Sequence, residues 1–227
     1  MAEWLNTAFS GFDGSILTVM NNLAVKAGAF FTPFFKIISL LGEKGILFLA
    51  AAVVLMLFSK TRKMGICIFG AIACGALFTN IILKDVIARP RPFESGFYDF
   101  WAFVGSTAED GFSFPSGHVT ATAAGATALL FTANKKWSWA GVILTLLMAL
   151  SRVYLAVHYP TDVIAGMIVG AVAGTIAFFI TKLIYFLLNK YSHKRFFEFV
   201  YHFDLAKNRK GKKEQPIQTE QTEKATE

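Results

Sequence analysis

Six apolar stretches alternate with short polar segments along the 227-residue chain. Several are shorter than the roughly 17–25 residues that a helix needs to cross a bilayer, so flanking residues must extend them. The pattern predicts an all-α, polytopic membrane protein: a six-transmembrane helical bundle built from residues 22–41, 45–59, 64–83, 119–132, 140–157 and 163–188. The first stretch contains Lys26, Pro33 and Lys36, and a bundle of five spans is therefore the alternative.

The two ends of the chain differ from this core in composition. We expect an integral membrane domain over residues 1–188 and a basic cytoplasmic tail over residues 189–227. At the start, Trp4, Leu5, Phe9 and Phe12 suit a helix at the membrane interface, and an unstructured start is the alternative. The tail begins with mixed basic and aromatic residues, which fit either a helix on an anionic leaflet or a continuation of the last span. Residues 208–227 are polar and nearly free of aromatics, which predicts a disordered end.

The distribution of charge predicts the orientation in the membrane. The net charge is +7, and the bases cluster after the second and fourth stretches and in the tail; they include Lys60, Arg62, Lys63, Lys135 and Lys136. Because basic loops remain in the cytoplasm, alternating spans predict cytoplasmic N- and C-termini in a plasma membrane, with the loops after spans one, three and five facing outward. The positive charge is thus a topology signal with some affinity for anionic lipid, and it argues against a nucleic-acid partner. The chain has no N-x-[ST] sequon, which fits a bacterial origin.

Small residues recur at four-residue spacing on three of the predicted helices: Gly166, Gly170 and Gly174; Ala71 and Gly75; Ala121 and Gly125. This spacing allows helix backbones to approach closely in lipid, so we interpret it as packing without chemistry. Seven helical residues separate Cys67 from Cys74, or about 10.5 Å, which is too far for a disulfide.

Packing does not explain the polar residues of three further segments: KDVIARPRP at 84–92, FSFPSGH at 112–118 and SRVYLAVHYPTD at 151–162. Under the six-span topology these segments meet at the outward end of the bundle, which predicts one site at the outer membrane face. Arg152 is expected about two turns inside the end of span five, where an arginine usually marks a partner or a pathway. Lys84 and Arg89, taken alone, would be ordinary bases reaching for the interface.

The residue types favour a multiply charged oxyanion as the ligand. Lys84, Arg91 and Arg152 supply positive charge, and guanidinium groups match phosphate oxygens in pairs. Ser116 and Gly117 stand where a helix begins, and helix N-termini offer unpaired N–H groups and a partial positive charge.

The histidines and acids of the same segments raise the possibility of a metal site. We discount it because the neighbourhood holds many fixed cations and lacks three or four convergent His, Cys or carboxylate ligands. His158 and Asp162 suggest instead a histidine whose second nitrogen is held by a carboxylate. We therefore expect no metal and no other cofactor.

Taken together, the three segments match the motifs KxxxxxxRP, PSGH and SRxxxxxHxxxD through Lys84, Arg91, Pro92, Pro115, Ser116, Gly117, His118, Ser151, Arg152, His158 and Asp162. In order and spacing this resembles the type 2 phosphatidic acid phosphatase, or lipid phosphate phosphatase, superfamily, which also includes vanadium haloperoxidases and glucose-6-phosphatase. The resemblance runs from the first span to the last and leaves out the tail.

The resemblance implies a role for each matched residue. His158 is then the nucleophile that forms a phosphohistidine, Asp162 orients it by holding its Nδ1–H, and His118 is the general acid. The implied phosphate cradle consists of Lys84, Arg91, Ser116, Gly117 and Arg152. Arg89 is not a motif position, and Ser151 is either a tuning residue or a hydrogen-bonding group of its own helix.

The resemblance implies a metal-independent phosphatase that hydrolyses a phosphomonoester or pyrophosphate lipid, such as phosphatidylglycerophosphate, phosphatidic acid or undecaprenyl pyrophosphate. Bacterial phosphatidylglycerophosphatase B-like and undecaprenyl pyrophosphate phosphatase-like membrane enzymes are similar, and the sequence does not separate them. The aromatic run between residues 93 and 114 suits either a lid over an acyl chain or a structural loop at the interface. The alternatives are a lipid phosphotransferase on the same scaffold, a vanadium haloperoxidase, whose similar members are soluble, and a non-catalytic membrane protein that binds anionic lipid.

Overall fold

The structure is a computed structural model that describes residues 1–190, and over this range the chain forms helices and no strands. The all-α expectation is therefore confirmed. The helices are α1 (Ala2–Ala8), α2 (Ser10–Leu41), α3 (Ile46–Met56), α4 (Arg62–Ala76), α5 (Lys84–Ile87), α6 (Tyr98–Phe103), α7 (Gly117–Thr132), α8 (Lys135–Tyr154) and α9 (Pro160–Lys190). A π-helical stretch, Leu77–Leu83, joins α4 to α5, and 3₁₀ turns occupy Glu43–Gly45 and Pro92–Glu94. The predicted helix and disordered end of the tail fall on residues 191–227, outside the described residues.

Four helical segments of the described range are long and apolar enough to cross a bilayer: Ser10–Leu41, Arg62–Glu94, Lys135–Tyr154 and Pro160–Lys190. They make the chain a multi-pass membrane protein. Helix α7 has 16 residues, or about 24 Å, and α3 has 11, or about 17 Å, against a hydrocarbon core of about 30 Å. Every residue from 119 to 126 of α7 is buried, so this helix is surrounded by protein rather than lipid.

Helices α7 and α9 run parallel with their backbones in contact. A Cβ atom added at Gly170 would lie 2.5 Å from the carbonyl oxygen of Thr120, and one at Gly166 would lie 2.8 Å from that of Ser116. Only glycine allows this approach, so the packing prediction for α9 is confirmed. The contact fixes the beginnings of both helices together, and the backbone N–H of Ser116 donates to the carbonyl of Asp162 at 3.1 Å.

Small residues also form the contact between α4 and α7. A Cβ atom at Gly75 would meet the Thr120 side chain at 3.1 Å. Cys67 and Cys74 on α4 are free thiols, as their spacing predicted.

The second half of α2 runs antiparallel to α8. Thr32 Oγ1 lies 2.8 Å from Tyr154 Oη, and three residues later the carbonyl of Phe35 accepts a hydrogen bond from Ser151 at 2.8 Å. Increasing residue numbers on α2 thus meet decreasing numbers on α8, so this half leads away from the end of the bundle where α8 finishes.

Helix α3 continues in that same direction. A Cβ atom at Gly45 would lie 2.9 Å from that of Ala121, and one at Gly125 would lie 2.6 Å from the Phe48 ring. The order of contacts makes α3 parallel to α7, which also leads away from that end. The chain therefore does not turn back between residues 41 and 46, and the expected alternation of the first two spans is wrong, because a glycine with positive φ, Gly45, breaks the helix without reversing it.

The N-terminal segment is helical, as the interfacial-helix interpretation required, and it lies at the end of the bundle where α9 begins. Asn6 Oδ1 accepts a hydrogen bond from Arg89 at 2.8 Å, and Asp13 accepts one from the backbone N–H of Thr161 at 3.0 Å. The backbone of α2 then kinks at Ala27, where φ is −142°. Because Arg89 and Thr161 border the predicted site, the N-terminus and the site lie at the same end. The expectation of a cytoplasmic N-terminus opposite an outward-facing site is therefore wrong.

Candidate active site

The three motif segments meet at one end of the bundle, where α5 and α8 finish and α7 and α9 begin. They surround a cavity of about 690 Å³ whose lining includes Lys84, Arg91, Gly117, His118, Arg152 and His158. Ser116 and Asp162 are fully buried beside it. All eight residues expected from the sequence are thus brought together, although they span 79 positions of the chain.

Two buried arginines form the cationic wall of the cavity. The Arg91 side chain is held by hydrogen bonds to the carbonyls of Gly111 at 2.9 Å and Val157 at 3.0 Å. The Arg152 side chain donates to Ser39 Oγ at 2.6 Å. Fixed in this way, the two guanidinium groups offer positive charge to an anion without the entropy cost of ordering long side chains.

The wall also holds polar atoms without a partner among the described residues, namely Ser116 Oγ and Arg152 Nε. Buried donors are normally satisfied, so these two atoms fit a cavity that binds an oxyanion. Arg152 lies in the last turn of α8 and not about two turns inside its span, because the helix ends at Tyr154 and Ala156 adopts a positive φ of 53°.

The ring of His158 is buried, and its Nδ1 side points to a hydroxyl. Ser113 Oγ lies 3.4 Å from His158 Nδ1 and itself donates a short hydrogen bond to Asp162 Oδ2. The direct separation between His158 Nδ1 and Asp162 Oδ2 is 3.7 Å, longer than a hydrogen bond. Ser113 therefore bridges the pair that the sequence predicted to touch. A serine that gives its proton to Asp162 accepts one from Nδ1–H, which leaves the Nε2 lone pair free on the cavity side.

The surroundings of His158 favour its neutral form. Burial lowers the pKa of its imidazole well below the ordinary value, and the positive charges of Arg152 and Arg91 lower it further, while Glu109 acts in the opposite sense. A neutral imidazole is the form that can act as a nucleophile.

Arg89 anchors Asp162 from the side away from the cavity. Its guanidinium donates to Asp162 Oδ1 at 2.6 Å, to Asp13 Oδ2 at 2.7 Å and to Thr161 Oγ1 at 2.7 Å. It also stacks on the Tyr159 ring, with 3.8 Å between the guanidinium carbon and the ring centroid. From the sequence we expected Arg89, taken alone, to be an ordinary base at the membrane interface. In the structure it is one of the most deeply buried side chains of residues 1–190.

The fold and the three motifs have a counterpart among known families. The model of the PAP2 superfamily matches residues 65–185, more than half of the chain. The chain belongs to the PAP2 superfamily.

Known PAP2 proteins resemble the chain over different lengths. An undecaprenyl-diphosphatase of Sulfolobus acidocaldarius is 37% identical over 123 residues, which cover 52% of this chain and 55% of the relative. The undecaprenyl-diphosphatase BcrC of Bacillus subtilis is 31% identical over 129 residues, 56% of this chain and 64% of the relative. The chain thus spans between about half and two thirds of the length of these relatives. The crystal structure of a PAP2-type phosphatidylglycerolphosphate phosphatase from Bacillus subtilis covers 83% of this chain and 89% of its own, with a TM-score of 0.59 and 24% identity, and it shows the shared fold.

The cavity also contains an acidic residue, Glu109, that the sequence analysis did not single out. Glu109 accepts a short hydrogen bond from Arg152 and a second one, at 3.1 Å, from Arg91. Its Oε2 atom lies 3.9 Å from His158 Nε2. Partial burial acts to raise the pKa of the Glu109 carboxyl, but Arg152 and the other positive groups outweigh this and lower it to about 2. The carboxylate is therefore ionised at physiological pH.

The π-helical stretch contributes two further polar residues to the cavity, Thr79 and Asn80. The hydroxyl of Thr79 is buried and has no partner among the described residues. Asn80 Oδ1 would lie 3.6 Å from a Cβ atom at Gly117, next to His118. Such π-turns are frequent at functional sites, but the apolar run of residues 64–83 gave no sign of one.

The aromatic run before α7 is mainly part of the core. Phe100 is buried against Tyr154, and the rings of Phe93 and Trp101 are in contact, 5.1 Å apart between centroids and tilted by 34°. Tyr98 and Phe103 are exposed. These contacts favour the structural interpretation for the larger share of these rings.

Over residues 1–190 the chain has no group of three or more His, Cys, Asp and Glu side chains that could hold a metal ion. Three acidic groups at or beside the cavity pair with arginines: Glu109 with Arg91 and Arg152, and Asp162 and Asp13 with Arg89.

Proposed function

We propose that this PAP2 protein is a lipid phosphatase that works without a metal and passes the phosphoryl group through His158. The observation that carries the proposal is the position of His158: its Nε2 atom faces a cavity walled by two buried arginines, and its Nδ1 atom is tied through Ser113 to Asp162. This arrangement combines a neutral nucleophile with fixed positive charge where phosphoryl oxygens would lie.

The reaction has two steps. His158 Nε2 attacks phosphorus, the bond from phosphorus to the leaving oxygen breaks, and His118 gives that oxygen a proton. Water then attacks the phosphohistidine, His118 takes a proton from it, and the N–P bond breaks to release inorganic phosphate and neutral His158. Lys84, Arg91, Arg152, Ser116 and the N–H groups at the start of α7 stabilise the charge on the equatorial oxygens.

The shape of the cavity supports a lipid as substrate. Its lining extends from the charged residues to Leu40, Ile72, Ala76 and Ala121, which lie between α2, α4 and α7. Ile72 precedes Lys84 by twelve helical residues, or about 18 Å along the axis, so the apolar part reaches well into the bundle. We propose the terminal phosphate of an isoprenoid diphosphate as the first candidate, since two relatives are named undecaprenyl-diphosphatases, and phosphatidylglycerophosphate as the second.

We propose an orientation with the site facing outward. The second half of α2 and α3 form one broken crossing, and α4 with its continuation, α7, α8 and α9 form the other four. Basic residues Arg62, Lys63, Lys135 and Lys136 begin α4 and α8 at the end away from the site, which the positive-inside rule assigns to the cytoplasm. The N-terminus then faces outward with the site, and the C-terminus is cytoplasmic.

Phosphate release from detergent-solubilised protein tests the function. Undecaprenyl diphosphate and phosphatidylglycerophosphate would be offered in the presence of EDTA to the wild type, to His158→Ala and to His202→Ala, which makes the same change outside the motifs. We expect EDTA-resistant release by the wild type and His202→Ala and none by His158→Ala. Release that survives in His158→Ala would contradict the assigned nucleophile, and a folded wild type that releases phosphate from neither lipid would contradict the proposed substrates.

A further inference from the structure

The carboxylate of Glu109 lies where the proposed mechanism needs the phosphoryl group. It is bound by the guanidinium groups of Arg91 and Arg152, and one of its oxygens is 3.9 Å from His158 Nε2. A carboxylate offers two oxygens and one negative charge to the guanidinium groups, and a phosphate binds such groups through its oxygens in the same way. The chain thus supplies its own anion to the cavity.

The segment that carries Glu109 is suited to withdraw. It runs between Gly105 and Gly111, which both have positive φ, at 57° and 74°, and so form points where the backbone can change direction. The side chains of Thr107, Ala108 and Asp110 are exposed, so within residues 107–110 only the Glu109 side chain is partly buried. Arg91 also binds the backbone carbonyls of Asp110 at 3.2 Å and Gly111 at 2.9 Å. Few buried contacts hold the segment apart from those of Arg91 and Arg152.

We propose that Glu109 is an internal competitor that occupies the phosphate site and must be displaced from Arg91 and Arg152 by the phosphate of the substrate. An incoming anion must displace the carboxylate. The apparent association constant of every anion therefore equals its intrinsic association constant multiplied by the fraction of time that the cavity is free. The inference rests on the proposed function in taking this cavity as the phosphate site.

The chemistry of membrane lipids gives this competition a use. A cationic cavity at headgroup level faces a large excess of phosphodiester lipids, whose phosphate carries one negative charge and two free oxygens, as a carboxylate does. A terminal phosphate carries about −1.5 to −2 charges and three free oxygens, so it can displace the carboxylate from the two arginines. Internal competition weakens both classes of anion by the same factor, so diesters, which bind weakly already, leave the cavity free, while terminal phosphates, which bind more tightly, still enter.

Calorimetric titration of the purified full-length protein with inorganic phosphate and with dimethyl phosphate, a small monoanionic diester, tests the proposal. Glu109→Gln should lower the dissociation constants of both ligands by the same factor, about tenfold or more, because an internal competitor affects all ligands equally. Asp110→Asn is the matched control: it removes the same charge from the neighbouring exposed residue, and it should change either constant by less than about threefold. Unchanged or weaker binding by Glu109→Gln, no binding at all by that variant, or an equal gain in Asp110→Asn would overturn the proposal.

Hydrogen exchange in the wild type provides a test that does not depend on the stability of any variant. Saturating phosphate should release Glu109 and increase amide exchange in residues 105–111 while the ends of α7 and α9 become more protected. Unchanged or slower exchange in residues 105–111 would contradict displacement. Neither experiment involves turnover, so a protein that passes both but releases phosphate from no lipid would refute the proposed function and leave the competition standing.

Discussion

Arg89 and Asp162 form a buried ion pair, with 2.6 Å between Nη1 and Oδ1, on the side of Asp162 that faces away from the cavity. The remaining oxygen of Asp162 accepts from Ser113 and from the backbone N–H of Tyr159. Both oxygens are therefore fixed before any substrate arrives. Through Ser113, this pair sets the orientation of the His158 ring.

Replacing Arg89 should separate orientation from binding. Arg89→Gln removes the charge that compensates Asp162 and leaves the phosphate-facing groups in place, so kcat should fall by about tenfold or more, equal to about 1.4 kcal/mol of transition-state stabilisation. Phosphate affinity, measured by calorimetry, should change little. Arg91→Gln is the matched comparison, since Arg91 faces the anion, and it should weaken phosphate binding. An Arg89→Gln protein that loses phosphate affinity as fully as Arg91→Gln would show that Arg89 acts on the whole site and not through Asp162.

The Ser113 bridge makes its own prediction. Ser113→Ala leaves Nδ1 of His158 without its hydroxyl partner and Asp162 beyond hydrogen-bond distance, so kcat should fall by about tenfold while KM changes less. Ser106→Ala makes the same change at the rim of the cavity and should retain activity. Steady-state kinetics of the two variants checks this; full activity of Ser113→Ala would mean that Asp162 reaches His158 directly.

The acid side of the pH profile should respond to Glu109. Burial and the two arginines lower the pKa of His158, and the negative charge of Glu109 raises it. Glu109→Gln removes that charge and should therefore lower the pKa of His158 further. His158 then remains neutral to more acidic pH, and the acid limb of the kcat/KM profile should move to lower pH. The substrate's own ionisation is the same for both proteins and cancels in the comparison. A limb that stays in place or moves to higher pH would show that another group controls it.

The contact between α7 and α9 predicts a stability effect. Gly170→Ala places a methyl group 2.5 Å from the carbonyl oxygen of Thr120, and overpacking of this kind costs about 1–3 kcal/mol. The melting temperature in detergent should fall by several degrees, at about 2–4 °C per kcal/mol for a chain of this size. Gly70→Ala is the control, because its methyl group would meet Ala177 at an ordinary 3.6 Å. Equal melting temperatures for the two variants would mean that the helices separate at little cost.

The sequence predicted those parts of the fold and site that depend on residue type and local spacing. Apolar stretches located the long helices, four-residue spacing of glycines located the packing face of α9 but not its partner α7, and three motifs located the eight residues that meet at the cavity. These predictions were correct because each feature is encoded by the residues of one segment.

The missed features depend on which segments meet in space. Arg89 is two residues from Arg91 and on the same segment, yet one faces Asp162 and the other the cavity, which only the backbone path decides. Glu109 lies in a loop of no regular pattern. Asp13 did carry a signal, as an acid within an apolar segment, but its partner Arg89 is 76 positions away. The direction of α3 was missed because a break in a helix and a reversal of the chain look alike in hydropathy.

The central claim, that His158 carries the phosphoryl group, is tested most directly by trapping it. Wild-type protein would be mixed with substrate, quenched in alkali, in which phosphohistidine survives, and mapped by mass spectrometry of its peptides. We predict phosphate on His158 in the wild type and none in His158→Ala, with His118 unmodified in both. Turnover without any covalent phosphate on His158, or phosphate on His118 instead, would contradict the account.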